Sequence, residues 1–139
     1  MGTAAAFSFL APAKLNISLR VFGKRSDGYH YIRSVMVPVS LYDEVTVEEA
    51  PEGISITCDD PSVPAGDGNT CVRAAALFMD WAGAPGGVRV RLRKSIPAEA
   101  GLGGGSSDAA ATLKGLCALT GKCPPPDVLL GMAARVGAD

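Results

Sequence analysis

The clearest periodicity in the chain lies in GVRVRLRKS (residues 87–95), where Val88, Val90 and Leu92 alternate with Arg89, Arg91 and Arg93. Successive side chains of a strand point to opposite faces. The segment therefore predicts a strand with one apolar face and one arginine face turned to solvent. Strand-like alternation also marks NISLRVF (residues 16–22). Residues 31–50 read as extended chain, with Pro38 marking an edge or a bulge because proline cannot donate to a ladder. Between these two stretches Asp27-Gly28 is a turn signal, and GISITCDD (residues 53–60) predicts a further short strand.

Helical spacing takes over elsewhere. Asn69 is placed to cap a helix whose apolar face comprises Val72, Ala75, Ala76 and Met79, and which Gly83 ends. A second helix follows the glycines at 101–105, with Ala109, Leu113 and Leu116 on its apolar stripe and Ser106 or Ser107 as its cap. GKCPPP interrupts, and a last helix starts near Asp127. With no internal repeat and no low-complexity linker, the pattern predicts one α+β domain.

Composition narrows the class. The 139 residues carry 13 Lys+Arg against 14 Asp+Glu, a net charge of -1. That balance argues against nucleic acid as a partner, since such domains show a basic excess, and against a polybasic membrane patch. No apolar run approaches the ~20 residues a bilayer requires, and the N-terminus lacks the basic start of a signal peptide. A cytoplasmic location is the expectation. Cys58, Cys71, Cys117 and Cys123 form no CxxC pair and have only His30 as a histidine companion, so free thiols rather than a zinc site are expected.

The candidate chemistry sits in PAEAGLGGGSSDAAATLKGL (residues 97–116). Glycines admit positive φ and let backbone N–H groups approach a ligand. A helix N-terminus behind them offers unpaired N–H groups and the positive end of a dipole, which together suit phosphate. No Lys-Ser or Lys-Thr follows, as a Walker A loop needs. Ser106 stands where a dinucleotide fingerprint needs its last glycine.

The pattern P-x-x-x-G-L-G-G-G-S-S instead resembles the ATP loop of the GHMP kinases. Pro97, Gly101, Leu102, Gly103, Gly104, Gly105, Ser106 and Ser107 fall in the family's places. The resemblance implies ATP and Mg2+ as cofactors, with a serine, Ser107, helping to hold the metal. Asp108 departs from the small residue common at its position and is not taken as a ligand.

P-A-K-L-N (Pro12–Asn16), D-G-Y-H (Asp27–His30), SLYDEVTVE (residues 40–48), Asn69 with V-R-A-A (residues 72–75), and G-A-D (Gly137–Asp139) extend the resemblance over nearly the whole chain. They are similar to the branch of the family that phosphorylates a cytidyl-bearing small molecule on a tertiary alcohol, in the non-mevalonate route to isoprenoids.

That similarity implies Asp139 as catalytic base with Lys14 beside it. It implies Tyr29 and His30 as the cytosine contacts, Asn16 as a substrate contact, and Asn69 and Lys94 as parts of the ATP site. The implied fold is a mostly antiparallel sheet with helices and a left-handed βαβ unit. The implied domain is the family's N-terminal one over residues 1–139, with the second domain outside this chain. Two other readings stay open at this point: a homoserine or mevalonate type of kinase from the same family, or a non-catalytic ligand-binding module on the same fold.

Overall fold

A computed structural model describes residues 5–137. Its elements run β1 (Ala6–Lys24), β2 (His30–Ala50), β3 (Ile54–Cys58), α1 (Thr70–Ala82), β4 (Gly87–Arg93), α2 (Gly104–Thr120) and α3 (Pro126–Val136). The sheet order is β1-β2-β4-β3. β1–β2 and β2–β4 pair antiparallel, while β3–β4 pair parallel. Parallel neighbours need a crossover, and α1 supplies it, so β3, α1 and β4 form a βαβ unit inside a mostly antiparallel α+β domain.

One face of the sheet carries the core. Val45, Val47, Val88, Val90 and Leu92 pack with Phe78 of α1 and Leu116 of α2. Arg89, Arg91 and Arg93 lie on the open face, where Arg89 pairs with Glu48 across the ladder at 3.3 Å. Helix α2 lies close against the sheet at Gly115, where a Cβ would come 2.6 Å from Val47 Cγ2.

Three expectations need correction. β1 begins at Ala6 rather than near Asn16. Its inward residues Ala11 and Ala13 are buried, and their small side chains give no apolar alternation to read. The buried face of α1 centres on Cys71, Val72, Ala74, Ala75 and Phe78, leaving Ala76 exposed, because Phe78 is drawn fully into the core. The cap of α2 is Gly103, at φ 69°, with no side-chain cap bond. Ser106 and Ser107 fall inside the first turn instead.

β2 meets β4 only over Glu44–Ala50. Before that segment β2 has β1 alone as a described neighbour, and the two strands project as a ribbon. Pro38 lies on this free-edged part, opposite Lys14, next to a register shift between Pro12 and Ala13. Leu15, Ile17, Leu19, Val21, Tyr31 and Val35 are exposed along the ribbon. No described helix is long and apolar enough to cross a membrane.

Candidate functional site

Local backbone chemistry builds the glycine loop. Gly101 and Gly103 take positive φ, as does the non-glycine Glu99 at 57°. The first intrahelical bond of α2 runs from Ser107 N–H to the Gly103 carbonyl at 3.0 Å. The N–H groups of Gly104, Gly105 and Ser106 therefore have no partner within the helix. Thr70, the first residue of α1, donates its hydroxyl to the Gly105 carbonyl at 2.8 Å, which ties the two helix starts together.

β1 crosses directly against this loop. The backbone N–H of Lys14 donates to the Leu102 carbonyl at 2.9 Å. The Lys14 side chain lies over Gly103, where a Cβ would stand 2.9 Å from Lys14 Cγ and 3.1 Å from Cε. Lys14, Gly103, Ser106 and Ser107 line one cleft with Pro12 and Pro38. Asn16 follows Lys14 on the same face of β1 and accepts a hydrogen bond from Ser34 Oγ at 3.1 Å.

Tyr29 and His30 stand at the far end of the ribbon. Gly28 turns the chain at φ 92°, Asp27 Oδ1 accepts the Tyr29 N–H at 3.1 Å, and Arg25 pairs with Asp27 at 3.0 Å. Tyr29 is 63% exposed, so its ring is not core packing. With Val21 and Ile32 it faces Leu130 and Gly137 of the α3 region across a second cleft. Gly137 joins the two clefts: a Cβ there would collide with Ser106 Oγ. Asp139 lies outside the described residues.

Two residues expected at the nucleotide, Lys94 and Asn69, have partners within the fold. Lys94 keeps only 6% of its side chain exposed, with its ammonium 2.6 Å from Asp43 Oδ2 and 3.0 Å from Asp108 Oδ2. It lies beneath the loop. Asn69 is buried; its Oδ1 accepts Cys71 N–H at 2.8 Å and its Nδ2 donates to the Pro64 carbonyl at 2.9 Å. It acts as the cap of α1.

The charges under the loop shape one another. Burial pushes the Asp108 carboxyl up to about 8, reinforced by the neighbouring Asp43 carboxyl and opposed by Lys94. Burial would raise Asp43 too. Hydrogen bonding with Asp108, with the Ile96 and Ser95 backbone and with Lys94 outweighs it, and Asp43 stays below the usual carboxylate range. Burial works against the charge on Lys94, but its two carboxylate partners raise it.

Asp43 and Asp108 were not singled out as site residues, although the pattern carries a signal. Asp43 has the inward parity of Val45 and Val47, and Asp108 shares a helix face with Thr112 and Leu116. Among the described residues no cluster of three His, Cys, Asp or Glu side chains could hold a metal ion, and the four cysteines are free.

A glycine loop ahead of a helix start, crossed by a lysine-bearing strand in an α+β domain, is an arrangement suited to an anion such as phosphate. The GHMP kinases N terminal domain family matches residues 69–139, and the chain belongs to the GHMP kinase family.

Among individual proteins, the chain is 45% identical over 132 residues to the 4-diphosphocytidyl-2-C-methyl-D-erythritol kinase of Acetivibrio thermocellus, covering 95% of this chain and 47% of that protein. It is 46% identical to the protein of the same name from Chlorobium phaeobacteroides, covering 95% of this chain and 46% of that one. A crystal structure of 4-(cytidine 5'-diphospho)-2C-methyl-D-erythritol kinase superposes with a TM-score of 0.78 at 44% identity, over 96% of this chain and 47% of that chain. A mevalonate kinase structure shares the fold at 20% identity, with a TM-score of 0.70, over 94% of this chain and 46% of that one. The chain spans about half the length of the curated relatives it matches.

Proposed function

We propose that residues 1–139 form the nucleotide-binding half of a two-domain kinase. The reaction would move the γ-phosphoryl group of ATP to the 2-hydroxyl of 4-diphosphocytidyl-2-C-methyl-D-erythritol. The observation that carries this reading is the contact between β1 and the loop. It places Lys14 of P-A-K-L-N over Gly103, so the motif that resembles the substrate-side machinery meets the motif that resembles the phosphate cradle.

The chain's own groups suit the parts. The open N–H groups of Gly104, Gly105 and Ser106 and the positive end of α2 would hold phosphate oxygens. A side chain at Gly103 would displace Lys14, so the cradle needs glycine there. Ser107 offers one hydroxyl to Mg2+, which keeps waters and takes oxygens from phosphates rather than requiring a full protein cage. Bound there, the metal would neutralise charge on the phosphates. Lys14 would hold a carboxylate ionised and stabilise charge on the transferring group. Asp139, which the G-A-D resemblance points to, would accept the hydroxyl proton. Tyr29 offers a free ring to a flat base, and His30 and Asn16 offer polar contacts.

The test is phosphoryl transfer by the two-domain protein to the cytidyl substrate, with homoserine and mevalonate as competitors for the assignment. Transfer to the cytidyl compound alone is expected. Transfer to either of the others at a comparable rate overturns the substrate assignment.

A further inference from the structure

Asp43 and Asp108 come from β2 and α2, Lys94 directly follows β4, and each is buried. Lys94 continues the parity of Val88, Val90 and Leu92. Three ionisable groups on core-facing positions are costly to bury, so their arrangement calls for a reason. The hydrogen bonds supply one. Asp43 Oδ1 accepts the backbone N–H groups of Ser95 at 2.7 Å and Ile96 at 2.9 Å, while its Oδ2 accepts Lys94 Nζ at 2.6 Å. Asp43 therefore fixes the stem by which the chain enters the glycine loop.

Lys94 Nζ also donates to Asp108 Oδ2 at 3.0 Å, which fixes the stem by which the chain leaves it. The fit above the ammonium is close. A Cβ at Gly104 would stand 3.2 Å from Lys94 Nζ and 3.0 Å from Ile96 Cγ2. Asp108 Oδ1 is buried without a hydrogen-bond partner, so Asp108 holds Lys94 through Oδ2.

Building on the kinase reading above, we infer that Asp108 is a positioning residue. Through Lys94 it locks the first turn of α2 to the strand-side stem, and so sets the direction of the N–H groups that receive the phosphates. Tyr29 and His30 stand at the far end of the ribbon and share no hydrogen bond with Asp43, Lys94 or Asp108. The predicted loss is therefore confined to the nucleotide.

The experiment compares Asp108→Ala, Asp108→Ser and Asp108→Asn in the two-domain protein. It measures ATP affinity by titration and steady-state KM for both substrates, with near-UV circular dichroism as the check on tertiary packing. The alanine and serine variants keep the Lys94–Asp43 pair but cannot reach Lys94. Both should raise Kd and KM for ATP by about 10-fold or more, since small misplacements of a positioning group are costly. KM for the cytidyl substrate should stay within about twofold of the unmodified protein. Asn keeps a carbonyl oxygen for Lys94 and should restore most of the ATP affinity.

Unchanged ATP affinity in the alanine variant overturns the inference. So does equal loss toward both substrates, failure of Asn to rescue, or loss of packing in both the alanine and serine variants, since each makes Asp108 something other than a loop-positioning group. An unmodified protein that binds no ATP overturns the kinase reading itself, which keeps the two failures apart.

Discussion

The Lys14 N–H and the Leu102 carbonyl, 2.9 Å apart, join the first strand to the glycine loop by a backbone bond that uses neither side chain. The lysine side chain lies across Gly103. Gly103→Ala puts a Cβ into that side chain and onto a backbone at φ 69°, a conformation costing an L-residue roughly 1–2 kcal/mol. Affinity for ATP should fall by about 10-fold or more, measured by isothermal titration. Gly101→Ala, which has open space around the added Cβ, should cost less than Gly103→Ala at the same measurement. The reverse order would mean that Lys14 is not what the loop packs against.

Asp139→Asn in the two-domain protein should lower turnover by about 100- to 10,000-fold, the range typical of a general base. ATP affinity should be nearly unchanged, because the base serves the hydroxyl and not the nucleotide. Single-turnover kinetics with a parallel ATP titration separates the two effects. Near-normal turnover would assign the proton to another acceptor.

Tyr29→Ala should weaken the cytidyl substrate by roughly 1–3 kcal/mol if the ring stacks on the base. The ring is exposed, so the melting temperature and the ATP affinity should hold. Equal loss of both ligands would make Tyr29 a structural residue of the ribbon.

Asp43 sets an acid limit on stability. Its carboxyl lies below its ordinary value of 3.8 in the folded chain. Its contribution is therefore fully present above that value and lost as pH falls through the lower folded value. Asp43→Asn should destabilise the protein by about 3 kcal/mol near neutrality, the scale for breaking a buried ion pair. The gap to the unmodified protein should narrow as pH drops below about 4, the unfolded carboxylate value. Urea melts at pH 7 and pH 3.5 report it, and a gap that widens in acid would contradict the sign.

Thiol chemistry gives an independent check on the packing. Burial pushes Cys71 up to about 12, and burial together with Cys123 pushes Cys117 up to about 12. Cys123 is exposed. Iodoacetamide at pH 8 should alkylate Cys123 first and reach Cys71 only on unfolding, as read by peptide mass spectrometry. Early labelling of Cys71 would place α1 wrongly.

The sequence showed β4 plainly because valine and leucine alternate there with arginine, and showed α1 because Asn69 and Gly83 bracket it. It hid the start of β1, where the inward residues are the alanines Ala11 and Ala13. It misled at the start of α2: serine is the more familiar cap, but the loop turns through Gly103 before either serine is reached. The loop itself was legible because its chemistry is contiguous. The support beneath it was not, since Asp43 and Lys94 are 51 residues apart and nothing local pairs them. Only their inward parity, an acid and a base among valines, marked them as unusual.

The separation of those partners bears on how the domain comes into being. β1 and β2 are adjacent in the chain and can pair as soon as both have been synthesised. The stems of the glycine loop cannot be fixed until β4 has docked on β2 and α2 has been made as far as Asp108. A nascent chain therefore has both strands of the Tyr29–His30 ribbon before the stems of the glycine loop can be fixed.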